Sequence, residues 1–373
     1  MTWPFGDGPI GVWLERRRAM AALRHSVAVE RNLLALDEAN PLSQAKAAAM
    51  IGDNVGARHY LELARRHIPA YVESSPDTLD TLLTLGDLNE AESLAATGKR
   101  RYPQRPEYGE AYATVAERRG DWAEAARRWT MARKRFPLRP LPRAAEIACL
   151  RRLGRLDQAG TMLRRAMGVL PEDVSIKLES GRLAEAHGDW AIALQRWLEL
   201  AAIHPEGPIG AANALHQLGR TGEALTCLAE ARSAWPLEPA IGVVAARIAA
   251  NAGQVEEAIR GWADIRRRFP GDPGGYIEAL RLLRTLNRLA EAEDVAALAC
   301  EQFPDESWPL VEHALVAHLR QDWPKAAARW EAVRAAFPDR EDGYRHGIEA
   351  LENAGVAADA ERLREEYRAR HRG

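Results

Sequence analysis

One short spacing recurs along most of this chain of 373 residues and limits what the chain can fold into. A turn residue, usually glycine, is followed five residues later by alanine and, in nine of ten cases, seventeen residues later by proline. The prolines are 34 residues apart, except for an interval of 31 between Pro205 and Pro236. A fixed internal period builds a continuous core by stacking neighbouring repeats, so we predict an array rather than separate globular domains. The turn positions are Gly52, Gly86, Gly120, Gly154, Gly188, Gly219, Gly253, Asn287, Gln321 and Gly355.

Each period is predicted to contain two helices. The positions four and seven residues before every turn are small or apolar, and residues three apart share one face of a helix. Glycine at the turn suits the end of the first helix because it accepts a positive φ, and the marker proline ends the second helix. Three residues are missing between Pro205 and Gly219, so we expect a short first helix there that begins near Pro208.

The first 37 residues carry no repeat signature. We predict a tail and an N-terminal capping helix over 1–37, followed by ten repeats over 38–373. The basic residues Arg127, Arg128, Arg133, Lys134 and Arg135 are predicted to lie on an outer, solvated helix.

The charge balance and hydropathy exclude several classes of protein. A formal net charge of −2 argues against nucleic-acid binding driven by net charge. No run of eighteen apolar residues predicts a membrane span, and the first residues lack the basic and apolar regions of a secretory signal. We therefore expect a cytoplasmic protein.

No catalytic motif is found in the sequence. A phosphate-binding GxxxxGK[ST] loop, a GxSxG elbow and an HExxH zinc helix are all missing. Cys149, Cys227 and Cys300 are too far apart in sequence to form a metal-ligand pair, and His313 and His318 belong to different faces of one helix. We predict no enzyme activity, no cofactor and no metal site.

The pattern as a whole resembles the tetratricopeptide repeat family, over about nine-tenths of the chain. The resemblance implies an all-α, right-handed α-α superhelix of about ten helix-turn-helix repeats, used as a scaffold for protein partners. It rests on the turn glycines, the alanines five residues later, the marker prolines and the bulky residues nine after the turn, which are Leu61, Trp129, Leu163, Trp197, Leu228, Trp262 and Trp330.

A row of polar side chains lies beside the buried face of the first helices. By the resemblance, this position lines a concave groove, where basic and amide side chains hold the carboxylates of an extended peptide. Guanidinium groups bind carboxylates through paired, charge-assisted hydrogen bonds. Six residues before the turn stand Arg182, Asn213, Arg247 and Arg281, and three before it stand His216 and Arg284, with Arg151 and His318.

The alternative interpretation of the row is internal pairing. Glu179 lies three residues before Arg182, and Glu278 lies three before Arg281, which is the spacing of a helix-surface ion pair. Arg247 has a valine at the matching place and is the most available of the row.

The function predicted is a non-catalytic protein–protein interaction scaffold that binds a peptide, tail or partner domain, with acidic groups expected on the partner. One alternative is a self-assembling protein, in which the tail residues Trp3 and Phe5 enter the groove of another copy. A second, resting on family analogy, is an accessory subunit of a glycan- or envelope-building enzyme complex.

Overall fold

The computed structural model describes residues 40–73 and 75–370, in which 21 helices and no strand occur. The predicted tail and capping helix, with Trp3 and Phe5, lie outside the described residues. None of the described helices is both long enough and apolar enough to cross a bilayer.

The chain divides into two compact units, residues 1–218 and 219–373. The first unit contains α1 (Pro41–Ile51), α2 (Asn54–His67), the single turn α3 (Pro69–Val72), α4 (Pro76–Leu85), α5 (Leu88–Arg101), α6 (Pro106–Arg118), α7 (Trp122–Arg135), α8 (Pro140–Arg152), α9 (Leu156–Val169), α10 (Val174–His187), α11 (Trp190–Leu198) and α12 (Glu206–Gln217). The second contains α13 (Thr221–Ala234), α14 (Pro239–Asn251), α15 (Val255–Arg268), α16 (Gly274–Thr285), α17 (Leu289–Gln302), α18 (Ser307–Leu319), α19 (Trp323–Ala336), α20 (Glu341–Asn353) and α21 (Ala357–Arg370).

These helices confirm the predicted repeats. All ten turn positions have a positive φ, from 55° at Asn287 to 85° at Gly52. Several second helices then begin with an aspartate cap; for example, Asp121 Oδ1 accepts a hydrogen bond from the Glu124 backbone N–H at 3.0 Å. Most second helices end two residues before the marker proline. The residue between them, such as Phe136, is a non-helical C-cap, because a residue that precedes proline is disfavoured in the helical region.

The three-residue deletion is absorbed differently from our expectation. Helix α12 begins at Glu206, directly after Pro205, and not near Pro208. Its 12 residues are only one fewer than the 13 of α8, so the first helix is scarcely shortened. What is lost is the short connection that elsewhere follows the marker proline, and the preceding helix α11 has 9 residues where most second helices have 14.

The core consists of the small and bulky residues that the spacing singles out. All ten alanines five residues after the turn are completely buried. Trp129, Trp262 and Trp330 are each 1% exposed, and Trp197 is 3% exposed. The alanines leave room for helices to approach closely, and the tryptophans fill the space between them, so the packing prediction is confirmed.

Arg128 contradicts the prediction that the basic run on α7 is solvated. Its guanidinium is 8% exposed and donates to Glu92 at 2.5 Å, Glu124 at 2.7 Å and the Tyr112 carbonyl at 2.7 Å. It also lies 3.6 Å from the centre of the Tyr112 ring. Since Glu92 belongs to α5, this arginine connects consecutive second helices. Arg127, its neighbour, is exposed as predicted.

Arg329 repeats this arrangement in the second unit. It stands eight residues after its turn, as Arg128 does, and pairs with Glu293 on the previous second helix, α17. It also donates to the carbonyl of His313 at 2.9 Å. The same register therefore produces the same inter-repeat contact in each unit.

Candidate interaction surface

Within each unit, first helices of consecutive repeats contact one another, including α8 with α10 and α10 with α12 in the first unit, and α14 with α16 and α18 with α20 in the second. We call the surface that they form the first-helix face of that unit. The predicted polar row lies on these helices, three and six residues before their turns. The face is therefore where a partner segment would meet the row.

On the first unit, Arg182 is held by two acids. It lies 2.7 Å from Glu179 on its own helix and 2.6 Å from Glu206 on α12. Burial lowers the pKa of Arg182, but the two carboxylates outweigh this effect and raise the pKa above its usual value. Glu179 also lies 3.2 Å from Arg151 on α8, so one chain of ion pairs connects three first helices.

Asn213 and His216 continue the row on α12, and both are half-buried. Their spacing of three residues places them on one side of that helix. The strongest cation in the first unit's part of the row, Arg182, is already neutralised by its two carboxylates.

The second unit arranges its cations differently. Arg281 pairs with Glu278 on its own helix, and Arg284 lies 3.0 Å from Glu312 on α18. Arg247 on α14 is half-buried, attracted by Glu278 and repelled by Arg281. Burial lowers its pKa, and the attraction of Glu278 does not offset this effect.

The internal pairing left open by the sequence is thus present at Arg182 and Arg281. No acid stands three residues before Arg247 on α14, but Glu278 on the next first helix, α16, attracts its guanidinium. Arg247 is therefore less available than the sequence indicates.

A cluster of three side chains that the sequence did not predict lies further along the second unit. His318 on α18 comes close to His346 and Glu349 on α20. His318 was recognised as a member of the polar row, but its neighbours were not, because they belong to the next repeat. Counting back from each turn would have found them: Glu349 stands six residues before Gly355, at the row's own register.

Comparison with known protein families identifies the kind of helical repeat over part of the chain. A family model described as Tetratricopeptide repeat matches residues 209–273 and 243–307. The same turn, alanine and proline pattern runs through the other described helix pairs. Residues 209–307 of this chain are therefore similar to the tetratricopeptide repeat family. The all-α repeat fold of the chain follows directly from the helices described above, and folds of this family generally mediate protein–protein interactions.

Several solved structures resemble this chain at low sequence identity. A tetratricopeptide repeat protein from Parabacteroides merdae is 15% identical, with 65% of this chain and 96% of that chain covered and a TM-score of 0.48. The APC/C hetero-tetramer Cut9–Hcn1 is 13% identical, with 79% and 59% covered and a TM-score of 0.43. PilF of Pseudomonas aeruginosa is 15% identical, with 56% and 97% covered and a TM-score of 0.39. No curated protein sequence matches the chain. At these scores the likenesses carry no argument about its partner.

Proposed function

We propose that this protein is a non-catalytic scaffold that binds an acidic segment of a protein partner on the first-helix face of its second unit. The observation that carries the proposal is the group of Arg247, Arg281 and Arg284 on two consecutive first helices. Arg281 and Arg284 pair with Glu278 and Glu312, and half-buried Arg247 interacts electrostatically with Glu278 and Arg281.

The energetic reason lies in the burial of Arg247. A guanidinium that has already lost part of its hydration gains more from a carboxylate than an exposed one does, because less solvation remains to be given up. Planar guanidinium groups also bind carboxylates in a bidentate manner, which fixes the register of the bound segment. An acidic side chain of the partner would therefore bind strongly at Arg247.

Arg281 provides the second contact. Its side chain is 54% exposed, so its pair with Glu278 is open to water and contributes little to stability. A partner carboxylate can therefore replace Glu278 at low cost. Arg182 is less suited to this exchange, because Glu179 and Glu206 hold it from two helices.

A site-specific photo-crosslinker tests the proposal in cells of the source organism. We would place it at the exposed position 285, one helical turn after Arg281 on the first-helix face, and, as the matched control, at the exposed position 260 on α15. The expected result is a defined crosslinked protein from position 285 that is absent from position 260, and its mass spectrum would identify the partner.

Adding Arg247→Ala to the chain that carries the crosslinker at position 285 completes the test. We expect the crosslinked product to fall at least about tenfold, because one desolvated charge-assisted contact is worth roughly 1.5–3 kcal/mol. Identical products from positions 285 and 260, or a product that Arg247→Ala leaves unchanged, would contradict the proposal.

A further inference from the structure

Two histidines and a glutamate from neighbouring first helices meet in the second unit. His346 and Glu349 are three residues apart on α20, which places them on one side of that helix, and His318 approaches from α18. One ligand atom from each of the three residues lies within 4.8 Å of the other two. Among the described residues, no other set of three histidine, cysteine or acidic side chains has its ligand atoms this close together.

The distances within the group are those of ligands around an ion. His318 Nε2 lies 3.5 Å from Glu349 Oε2, and His346 Nδ1 lies 3.6 Å from the same oxygen. Both distances exceed the roughly 2.7–3.2 Å of an N–H···O hydrogen bond. They are close to the separation of about 3.4 Å between two ligands of a tetrahedral Zn²⁺ ion with bonds near 2.1 Å.

Buried polar atoms without partners collect at the same place. His318 Nδ1, His346 Nδ1 and Trp330 Nε1 are buried and have no hydrogen-bond partner in the described part of the chain. Buried polar atoms are normally hydrogen-bonded, so an exception calls for an explanation. A metal ion would take up His346 Nδ1 as a ligand.

The two imidazole rings are held by tryptophans. His346 stacks on Trp330 with ring centres 5.0 Å apart, and His318 meets the edge of Trp323 at 5.1 Å. Side chains whose rings are fixed by packing lose little entropy when they bind an ion. The site is therefore organised before a ligand arrives.

We propose that His318, His346 and Glu349 form a binding site for a divalent transition-metal ion, with Zn²⁺ as the expected occupant. Two imidazole nitrogens and one carboxylate suit Zn²⁺, whereas Mg²⁺ and Ca²⁺ prefer oxygen ligands throughout. Three protein ligands leave one position for water or for a side chain of a partner. The ion would connect α18 to α20 and so stabilise the last two repeats against each other.

A nearby pair offers a competing location for the ion. Cys300 Sγ lies 3.9 Å from His313 Nδ1, and Glu293 lies 3.6 Å from the other nitrogen of that ring. Burial raises the pKa of the Cys300 thiol, which keeps it in the protonated form that metals bind poorly. The experiment therefore includes a variant of this cysteine.

Zn²⁺ titration of the untagged full chain by calorimetry at about pH 7.5, where free imidazoles are neutral, tests the site. We expect one Zn²⁺ per chain and a raised melting temperature in its presence. Each of His318→Gln, His346→Gln and Glu349→Gln should weaken binding at least about tenfold, since even outer residues of a metal site have effects of that size. Binding should persist in His59→Gln, an exposed histidine outside the group, and in Cys300→Ser.

Replacement of Zn²⁺ by Mg²⁺ should give no saturable heat. Glu349 is 52% exposed, so Glu349→Gln is expected to fold normally, which circular dichroism checks. Absence of saturable Zn²⁺ binding to the wild-type chain would overturn the proposal. Equal binding by wild type and Glu349→Gln, or loss of binding in Cys300→Ser alone, would overturn it as well.

Discussion

At the residue scale, the ten turn residues differ in how well they tolerate a positive φ. Eight of the ten turns use glycine at positive φ, and Asn287 and Gln321 adopt φ values of 55° and 57°. An L-residue with a Cβ atom is disfavoured there by about 1–2 kcal/mol, and asparagine tolerates the conformation better than glutamine does. Gln321 is therefore the least favourable of the ten turn residues.

We predict opposite effects for two exchanges at these turns. Gly120→Ala should lower the free energy of unfolding by about 1–2 kcal/mol through φ alone, because an added Cβ meets no atom within 4 Å. Gln321→Gly should raise it by up to about 1 kcal/mol, the gain being reduced by the greater freedom of glycine in the unfolded chain. Denaturant titration measures both, and a less stable Gln321→Gly protein would contradict the argument.

Trp129 carries both packing and a hydrogen bond. Its ring is 1% exposed, and its Nε1 donates to Glu117 at 2.8 Å. We predict that Trp129→Ala lowers the free energy of unfolding by roughly 3–5 kcal/mol, as expected for truncation of a buried aromatic residue. Thermal melting is the measurement, and an unshifted midpoint would show that the core has been assigned wrongly.

At the scale of helices, Arg128 and Arg329 show how consecutive second helices are held together. Each connects a glutamate of the previous repeat to a backbone carbonyl of its own first helix. Each arginine lies 36 residues, about one repeat, after its glutamate in the sequence. This ion pair therefore forms only when two repeats stack.

We predict that Arg128→Ala lowers the free energy of unfolding by about 1–3 kcal/mol, because Glu92 keeps only Arg119 as a partner and the Tyr112 carbonyl loses its side-chain donor. Arg127→Ala on the same helix is the matched control. It should cost less than about 0.5 kcal/mol, since its i,i+3 pair is exposed. Equal losses in the two variants would remove Arg128 from this role.

The same contacts predict a dependence on pH. The hydrogen bond from Arg329 lowers the pKa of Glu293 from 4.5 to about 2. A carboxylate with a depressed folded-state pKa stabilises the protein above its unfolded pKa, and this contribution is lost as the pH falls from about 4.5 towards 2. Urea unfolding across that range should show a smaller loss of stability in Glu293→Gln than in wild type. Parallel profiles would contradict the assignment.

These helices and their contacts also show which features of the structure could be predicted from the sequence. The helix pairs and their turns could be predicted because a turn glycine, a cap and a marker proline act within a few residues of one another. Arg128 could not be placed, because the acid that accompanies it into the interior belongs to another repeat. The approach of His346 to His318 was missed for the same reason, and the start of α12 depended on how a deletion is shared between two helices.

At the scale of the whole molecule, the positions after each turn and those before it have different roles. The regular positions after each turn are buried and hold the repeats together, whereas the less regular positions before each turn lie on the first-helix faces and differ between the units. In the first unit two acids raise the pKa of Arg182, whereas in the second unit burial lowers the pKa of Arg247. The predicted single array over 38–373 stays a prediction beside the two compact units of the chain.

The most direct test of this division compares one double variant, Arg247→Ala with Arg281→Ala, with wild type in a quantitative binding assay against the partner that the crosslinker identifies. We predict that affinity falls at least about tenfold while circular dichroism and the melting temperature stay unchanged. The exposed double variant Arg260→Ala with Arg267→Ala on α15 is the control and should bind normally. Wild-type affinity in the Arg247→Ala, Arg281→Ala protein would contradict the account.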